Sequence, residues 1–208
     1  MFLTINIQAA CMQELIGRRS NRERTEATRA DLIAAARKLF TEKSYADTGT
    51  PEIVEAAGVT RGALYHHFAD KQALFSAVVE AEAAAVATEI EMATPPDLSV
   101  RQAMVAGSDA YLAAMRVPGR SRLLLLDGPA ILGRTAMDDI ENRHGNRTLR
   151  EGLLMAIQAG EMRKLPIDAL TALLAAAFDR AALAIAAGGN ADHYRRTLAA
   201  LIDGLCRK

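Results

Sequence analysis

The segment PEIVEAAGVTRGALYHHF, residues 51–68, constrains the fold of this chain more than any other. Ile53 gives its first half an apolar side, and Leu64 and Phe68 lie four positions apart on one face of its second half. Between the halves, Gly58 suits the left-handed backbone that ends many helices. Two short helices around a turn that contains glycine predict a helix-turn-helix, a motif whose second helix can enter the major groove of DNA.

Polar residues mark where these helices and the next one begin. We expect Thr50 to cap the first short helix, with Pro51 at its first position, and Thr60 to cap the second. Asp70 is expected to cap a long helix that follows. Upstream, an apolar stripe predicts another helix over residues 21–43, and its members are Leu32, Ala35, Ala36, Leu39 and Phe40.

The rest of the chain alternates helical stretches with breaks rich in glycine and proline. The composition favours helices, because alanine is abundant and aromatic residues make up only 4%. We therefore predict an all-α protein with an N-terminal extension (1–20), a three-helix helix-turn-helix domain (21–75) and a larger C-terminal helical domain (76–208). Helices are expected over residues 70–92, 99–116, 120–126, 135–158, 166–187 and 191–206, with breaks at 118–119, 127–129, 160–166 and 188–190 and an interruption near 144–146 left open.

Bulk charge does not identify a partner, because 25 basic and 25 acidic residues cancel, and residues 1–80 are neutral as well. Binding to DNA would then depend on a few well-placed side chains. The adjacent His66 and His67 do not share a helix face, so we expect no metal site. No nucleophile motif, glycine-rich phosphate loop or paired-acid set occurs, which predicts a protein that is not an enzyme and uses no cofactor.

The cysteines and the apolar stretches indicate a compartment. Cys11 and Cys206 are too few for a disulfide framework, which favours a reduced, cytoplasmic protein. No run approaches the ~18–20 apolar residues of a membrane helix. The apolar stretch 172–187 is too short, and Asp179 and Arg180 interrupt it, so we expect no membrane partner.

The run AGVTRGALYHHFADKQALF, together with the upstream helical stripe and Tyr45, resembles the DNA-binding domain of the TetR (tetracycline repressor-like) regulators. The resemblance covers about residues 25–79 closely, and LLLLDGPAILG resembles part of the sensor domain of some members. Ser44 stands where the family usually has glycine, and Pro51 where many members have a polar or basic residue. The resemblance implies a homodimer that binds a DNA operator through its N-terminal domain and senses a small molecule through its C-terminal domain.

The resemblance also implies roles for residues in and around the second short helix. Arg61 would reach a base edge and favour guanine through its bidentate guanidinium. Gly62 and Ala63 would let the backbone approach the DNA closely. Phosphate contacts are implied for Thr50, Thr60, Tyr65, His66 and Lys71.

A basic tract comes before the predicted first helix, at Arg18, Arg19, Arg22 and Arg24. It predicts an arm that follows the minor groove or the DNA backbone. The alternative is a solvated terminus, which is the usual state of a run of charges.

The C-terminal domain offers candidates for a ligand pocket and for a dimer interface. Methionine adapts to irregular ligands, so a pocket is predicted at Met104, Tyr111, Met115, Leu125, Met137, Met155 and Phe178, with ordinary core packing as the alternative for each. A two-fold four-helix bundle would bury two apolar bands, with packing inside one chain as the alternative. The band residues are Leu170, Leu174, Ala181, Ala182, Ile185, Tyr194, Leu198, Leu201, Ile202 and Leu205.

The sequence thus predicts a transcriptional regulator, more specifically a repressor that a small hydrophobic or amphipathic ligand releases from a palindromic operator. Two alternatives stay open. A helical protein could bind small molecules and use its helix-turn-helix only for structure or protein contacts, as the neutral N-terminal part allows. An enzyme is the third, with no catalytic set to name.

Overall fold

In a computed structural model, the backbone is described for residues 2–206 and the side chains for residues 22–206. Residues 2–206 form helices and loops without a strand, apart from one isolated antiparallel bridge between Met162 and Cys206. The all-α prediction is therefore confirmed. The helices are α1 Phe2–Glu42, α2 Thr50–Ala56, α3 Arg61–His67, α4 Lys71–Ala93, α5 Val100–Ala114, α6 Arg120–Arg122, α7 Gly128–Leu132, α8 Arg134–Arg143, α9 Gly145–Gln158, α10 Ile167–Ala186 and α11 Ala191–Leu205.

The chain divides into two compact units, residues 1–78 and residues 79–208, and the division falls inside α4. In the first unit, Leu32, Phe40, Ile53 and Leu64 are fully buried, so the apolar stripe of α1 packs with the inner faces of α2 and α3. This core fixes the two short helices, which are too short to be stable alone.

The first helix begins earlier than the sequence pattern predicted, at Phe2 instead of Asn21. The predicted position of the basic tract before this helix is therefore wrong, because the whole tract lies within α1, and its contact with DNA stays a prediction. Arg22 pairs with Glu26 one turn further along, at 2.8 Å on an exposed surface. The side chains of Arg18 and Arg19 lie outside the described residues.

In the second unit, a buried arginine links three helices. The Arg120 guanidinium donates to Glu82 at 2.9 Å, to Glu89 at 2.8 Å and to the carbonyl oxygen of Ala114 at 2.9 Å. Removing one partner from such a buried network is costly, about 3–5 kcal/mol in comparable cases. Arg120 therefore holds the start of α6 against α4 and the end of α5.

The predicted break at residues 127–129 is wrong. The chain continues from α6 through a π-helical turn, Leu123–Asp127, directly into α7. Gly128 permits this because a Cβ there would lie 2.8 Å from the Met137 sulfur and 2.9 Å from the carbonyl oxygen of Leu123. The chain turns instead at Gly133, with φ +83°. The other interruption does occur, since α8 ends at Arg143 and α9 begins at Gly145.

The helix α10 includes the stretch that the sequence predicted to be too short to cross a membrane. It has 20 residues and a mean hydropathy of 1.7 in its most apolar part, so its length and composition would allow it to cross a membrane. The expectation that this stretch is too short is therefore wrong. One such helix is weak evidence for a membrane span, because the core helix of a soluble protein meets the same criteria. Leu170, Leu174 and Phe178 of α10 are buried inside the chain.

Candidate nucleic-acid interface and cavity

The helix-turn-helix is built largely by its own local signals. Gly58 has φ +66°, as a residue that ends a helix requires. The Thr60 hydroxyl caps α3 by accepting a hydrogen bond from the backbone N–H of Ala63 at 3.1 Å. Thr50, however, is the first residue of α2 and not its cap, which is Gly49. Pro51 is compatible with this one-residue shift, because the first turn of a helix needs no backbone donor.

The outer face of α3 is open to solvent. Leu64 is fully buried and Phe68, just after the helix, is nearly so, which anchors one side of α3 to the core. On the other side, Arg61, Gly62 and His66 are exposed and the Tyr65 side chain is 44% exposed, while Ala63 is half-buried at the edge. The exposed α3 residues that sequence analysis assigned to DNA contact are therefore accessible together. Two other assigned residues are half-buried, Thr50 on α2 and Lys71 at the start of α4.

Arg61 and Tyr65 form a pair on that face. The guanidinium carbon of Arg61 lies 5.5 Å from the centre of the Tyr65 ring, a cation–π arrangement. Hydrogen bonding from Thr50, and then from Arg61, lowers the pKa of Tyr65.

Lys71, at the start of α4, is directed into the first unit. Its Nζ donates to the carbonyl oxygens of Tyr45 at 2.9 Å and Thr48 at 3.1 Å, and it lies 4.2 Å from the centre of the Tyr45 ring. The Tyr45 ring also packs with Phe40 and Phe75, at centroid distances of 5.6 and 5.1 Å. Lys71 therefore supports the loop between α1 and α2, a contact that sequence reasoning missed because its partners are backbone atoms distant along the chain.

Ser44 in the same loop has φ +109°, a conformation that favours glycine. Its hydroxyl donates to the Asp47 carboxylate at 2.8 Å and accepts from the Asp47 backbone N–H at 3.2 Å. This explains why glycine is usual at this position in the family that the sequence resembles. The hydrogen bonds to Asp47 offset part of the strain.

The second unit contains a cavity of about 610 Å³, within the range of small-molecule sites. It opens between helices α4, α5, α8, α9 and α10 and the π-helical turn. Of the predicted pocket residues, Met115 lies elsewhere, at a second cavity of about 560 Å³. The others line the larger cavity: Met104, Tyr111, Leu125, Met137, Met155 and Phe178.

A polar group of side chains lies on the wall of this largely apolar cavity. The Tyr111 hydroxyl donates to Asp179 at 2.5 Å, and Glu141 lies on the same wall. Burial raises the pKa of Asp179, although the Tyr111 hydrogen bond and the charge of Arg134 act in the opposite direction. Burial also raises the pKa of Glu141. Tyr111 was a predicted pocket residue, whereas Glu141 and Asp179 were missed because α5, α8 and α10 are far apart in the sequence.

The residues predicted for a dimer interface are mostly packed inside the protomer. Leu170, Leu174, Ala181, Ala182, Leu198 and Ile202 are buried in the single chain, as the alternative of internal packing describes. Ile185, Tyr194 and Leu205 are half-buried, and Leu201 is 50% exposed. Leu173, which was not predicted, is 72% exposed on α10. A second copy could contact these more open positions, so pairing through α10 and α11 stays a prediction.

Metal-binding clusters are absent from the part of the chain with described side chains: residues 22–206 contain no group of three His, Cys, Asp or Glu that could hold an ion. The rings of His66 and His67 lie 5.3 Å apart between centroids. Desolvation is the main cause that lowers the pKa of His67.

The fold and the exposed face of α3 define a helix-turn-helix DNA-binding protein with a separate cavity-bearing helical unit. Residues 32–78 match the family model described as bacterial regulatory proteins, tetR family, and residues 101–208 match a tetracyclin repressor-like C-terminal domain. The chain belongs to the TetR family. Such proteins are DNA-binding transcriptional regulators, mostly repressors, and generally not enzymes; they bind operators and small-molecule ligands and act as dimers.

Individual relatives agree with this assignment. The transcriptional repressor AcnR of Corynebacterium diphtheriae is 29% identical over 175 residues, which are 82% of this chain and 87% of that protein. The regulator AcrR of Shigella flexneri is 42% identical over 62 residues, which are 30% of this chain and 29% of that protein. A TetR-family regulator from Pectobacterium atrosepticum has a crystal structure with 32% identity and a TM-score of 0.72, covering 90% of this chain and 98% of that one.

Proposed function

We propose that this protein is a cytoplasmic, homodimeric repressor that a small hydrophobic or amphipathic ligand releases from a palindromic operator. The observation that carries the proposal is the outer face of α3, where Arg61 and Tyr65 are accessible while Leu64 anchors the helix. In a dimer, two such helices would enter successive major grooves about 34–36 Å apart, or a multiple of that distance.

Some residues on and around α3 would recognise the base sequence, and others would contact the DNA backbone. Arg61 would read a guanine edge, and Gly62 and Ala63 would permit close approach. The hydroxyls of Thr50, Thr60 and Tyr65, together with His66 and Lys71, would contact phosphates and fix the register of the helix on the DNA.

Ligand release would connect the cavity in residues 79–208 with the reading helix through α4, whose residues belong to both units. A ligand can shift the protein away from its DNA-binding state only by its difference in affinity for the two states. A 100-fold drop in operator affinity requires a coupling free energy of about 2.7 kcal/mol. The cavity, at about 610 Å³, is large enough for a drug-sized ligand to make contacts of that total strength.

The experiment begins with selection of binding sites from a genomic library, followed by fluorescence anisotropy on the selected duplex. Arg61→Ala should cost about 1–3 kcal/mol and relax the preference at one base pair. Tyr65→Phe keeps the ring beneath Arg61 and removes only the hydroxyl, so it should weaken binding to all sequences equally. Arg163→Ala, an exposed arginine in the second unit, serves as the matched control.

The selected site should be a palindrome, because two identical subunits present identical helices. Operator affinity should fall steeply as salt rises, since phosphate contacts release counterions. An Arg61→Ala variant that binds with unchanged affinity and unchanged base preference would refute the assignment of α3 as the reading helix.

A further inference from the structure

The cavity in the second unit is apolar over most of its wall, but its charged residues all carry the same sign. The acidic lining side chains are Glu91, Glu141, Glu151 and Asp179, and no lysine, arginine or histidine is among the lining residues. An apolar cavity with only acidic charges disfavours anionic ligands.

Among the residues with described side chains, three of these carboxylates have an ion-pair partner and Asp179 has none. Arg147 lies 3.1 Å from Glu91 and 3.2 Å from Glu151, so one positive charge is shared by two carboxylates at one side of the cavity. At the other side, Asp179 forms no ion pair within 4.0 Å among residues 22–206, and its close partner is the neutral Tyr111 hydroxyl. The wall around Asp179 therefore carries an excess of negative charge.

The neighbouring helix does not remove that excess. Arg134 is the nearby cation, and it lies 2.8 Å from Asp138 and 3.5 Å from Glu141. Asp138 and Glu141 thus share one guanidinium, which is itself mostly exposed to solvent, and Asp179 forms no ion pair with it. Burial raises the pKa of both Glu141 and Asp179, as expected for carboxylates that lack full compensation.

An unpartnered polar group lies on the same wall. Ser108 is 4% exposed and lines the cavity one helical turn before Tyr111, yet its hydroxyl has no hydrogen-bond partner. A buried hydroxyl without a partner costs about 1–3 kcal/mol, so native proteins rarely keep one unless a ligand or water completes it. Beside it, the Tyr111 and Phe178 rings, 6.1 Å apart, offer π-faces.

We propose that this cavity binds an organic cation with an apolar body, such as a protonated lipophilic amine. The cationic group would lie between Asp179 and Glu141, against the faces of Tyr111 and Phe178, with Ser108 accepting one of its N–H groups. The apolar body would occupy the rest of the cavity. The inference rests on the proposed sensing function and names the chemical class of the ligand.

The test uses three probes that share a phenylbutyl body and differ in the charge of the end group: phenylbutylamine, phenylbutanol and phenylbutyrate. Each is titrated into the purified full chain by isothermal calorimetry, without DNA. We expect the amine to bind at least about tenfold more tightly than the alcohol, and the carboxylate to bind most weakly. Equal affinity for amine and alcohol, or no binding of the amine at millimolar concentration, overturns the proposal.

Variants then locate the charge. Asp179→Asn should lower the affinity for the amine about tenfold and leave that for the alcohol within about twofold. Glu141→Gln is the second variant, used in case Asp179→Asn fails to fold as judged by circular dichroism. Asp109→Asn, an exposed residue on the same helix as Ser108, is the control and should change neither affinity. Parallel loss of both ligands in cavity variants that fold overturns the proposal, because the carboxylates then do not discriminate the charged ligand from the neutral one.

Operator binding is measured separately, which distinguishes this inference from the function on which it rests. If the amine binds with the expected preference but leaves operator affinity unchanged, the cation site is supported and the release mechanism fails. If the amine shows no preference while some other compound releases the operator, the cation site is overturned and the release mechanism stands.

Discussion

Replacing Lys71 by methionine tests how the first unit holds its DNA-reading helix. Lys71 donates to the carbonyl oxygens of Tyr45 and Thr48 and covers the Tyr45 ring at 4.2 Å. Methionine keeps the length of the side chain and removes its charge and its donors. Because these contacts connect α4 to the loop before α2, their loss should loosen the support beneath the helix-turn-helix.

The expected cost follows from the individual contacts. Two hydrogen bonds from a charged donor are worth about 3 kcal/mol together at the lower end of their range. The ring contact adds about 0.5 kcal/mol. In the variant, hydration of the two carbonyls and the greater freedom of the side chain offset about 1 kcal/mol of this loss. The net loss is about 2.5 kcal/mol, which should lower the melting temperature by roughly 5–10 °C.

Thermal unfolding followed by circular dichroism gives the stability, and anisotropy over a range of salt concentrations gives the number of phosphate contacts. Lys71→Arg keeps the charge and should recover part of the stability. Lys38→Met, at an exposed lysine of α1, should leave the melting temperature unchanged. An unchanged melting temperature for Lys71→Met would refute the supporting role. A salt slope reduced by about one unit per subunit would show that Lys71 also reaches a phosphate.

Three further substitutions test local features of the fold. Gly128→Ala should destabilise by about 1–3 kcal/mol in urea denaturation, although alanine normally favours a helix, because its methyl would lie 2.9 Å from the carbonyl oxygen of Leu123; an unchanged midpoint would contradict this. Ser44→Gly should raise the stability by about 1 kcal/mol by relieving the positive φ, and a lower midpoint would mean that the serine hydrogen bonds outweigh the strain. Hydrogen bonding from Arg143 lowers the pKa of Glu80 below its ordinary value of 4.5. The ionised side chain therefore stabilises the fold fully above about pH 4.5, and this stabilisation is lost as the pH falls through the lowered pKa. Glu80→Gln should therefore lower the melting temperature at neutral pH but not in strong acid, and an equal loss at both would reject the linkage.

The helix-turn-helix could be predicted because each of its signals acts locally. Gly58 sets a backbone angle, Thr60 caps the helix that follows it, and Leu64 and Phe68 face inward because of their spacing alone. None of these depends on residues far along the chain. The capping role of Thr50 was predicted wrongly, because α2 begins at Thr50 itself and Gly49 precedes it as the cap.

The region around Gly128 shows why local signals can also mislead. Asp-Gly-Pro usually marks a turn, yet here the chain stays helical through a π-helical turn. The glycine is required by the close approach of Met137, which comes from the next helix, and not by a turn. Glycine can be required either for tight packing or for a turn, so the sequence alone does not separate the two causes.

The role of Asp179 also depends on residues that are distant in the sequence. In the sequence it is a charge that interrupts an apolar stretch, and it argues only against a membrane span. In the structure it lies on the cavity wall with Tyr111, 68 positions earlier in the chain, donating to it. The proposed ligand class follows only when the charges from α8 and α10 are summed over one wall, because each carboxylate alone resembles an ordinary surface residue. The sequence can therefore show that an acidic residue interrupts an apolar helix. Only the fold shows that, among the described side chains, no cation lies beside that residue.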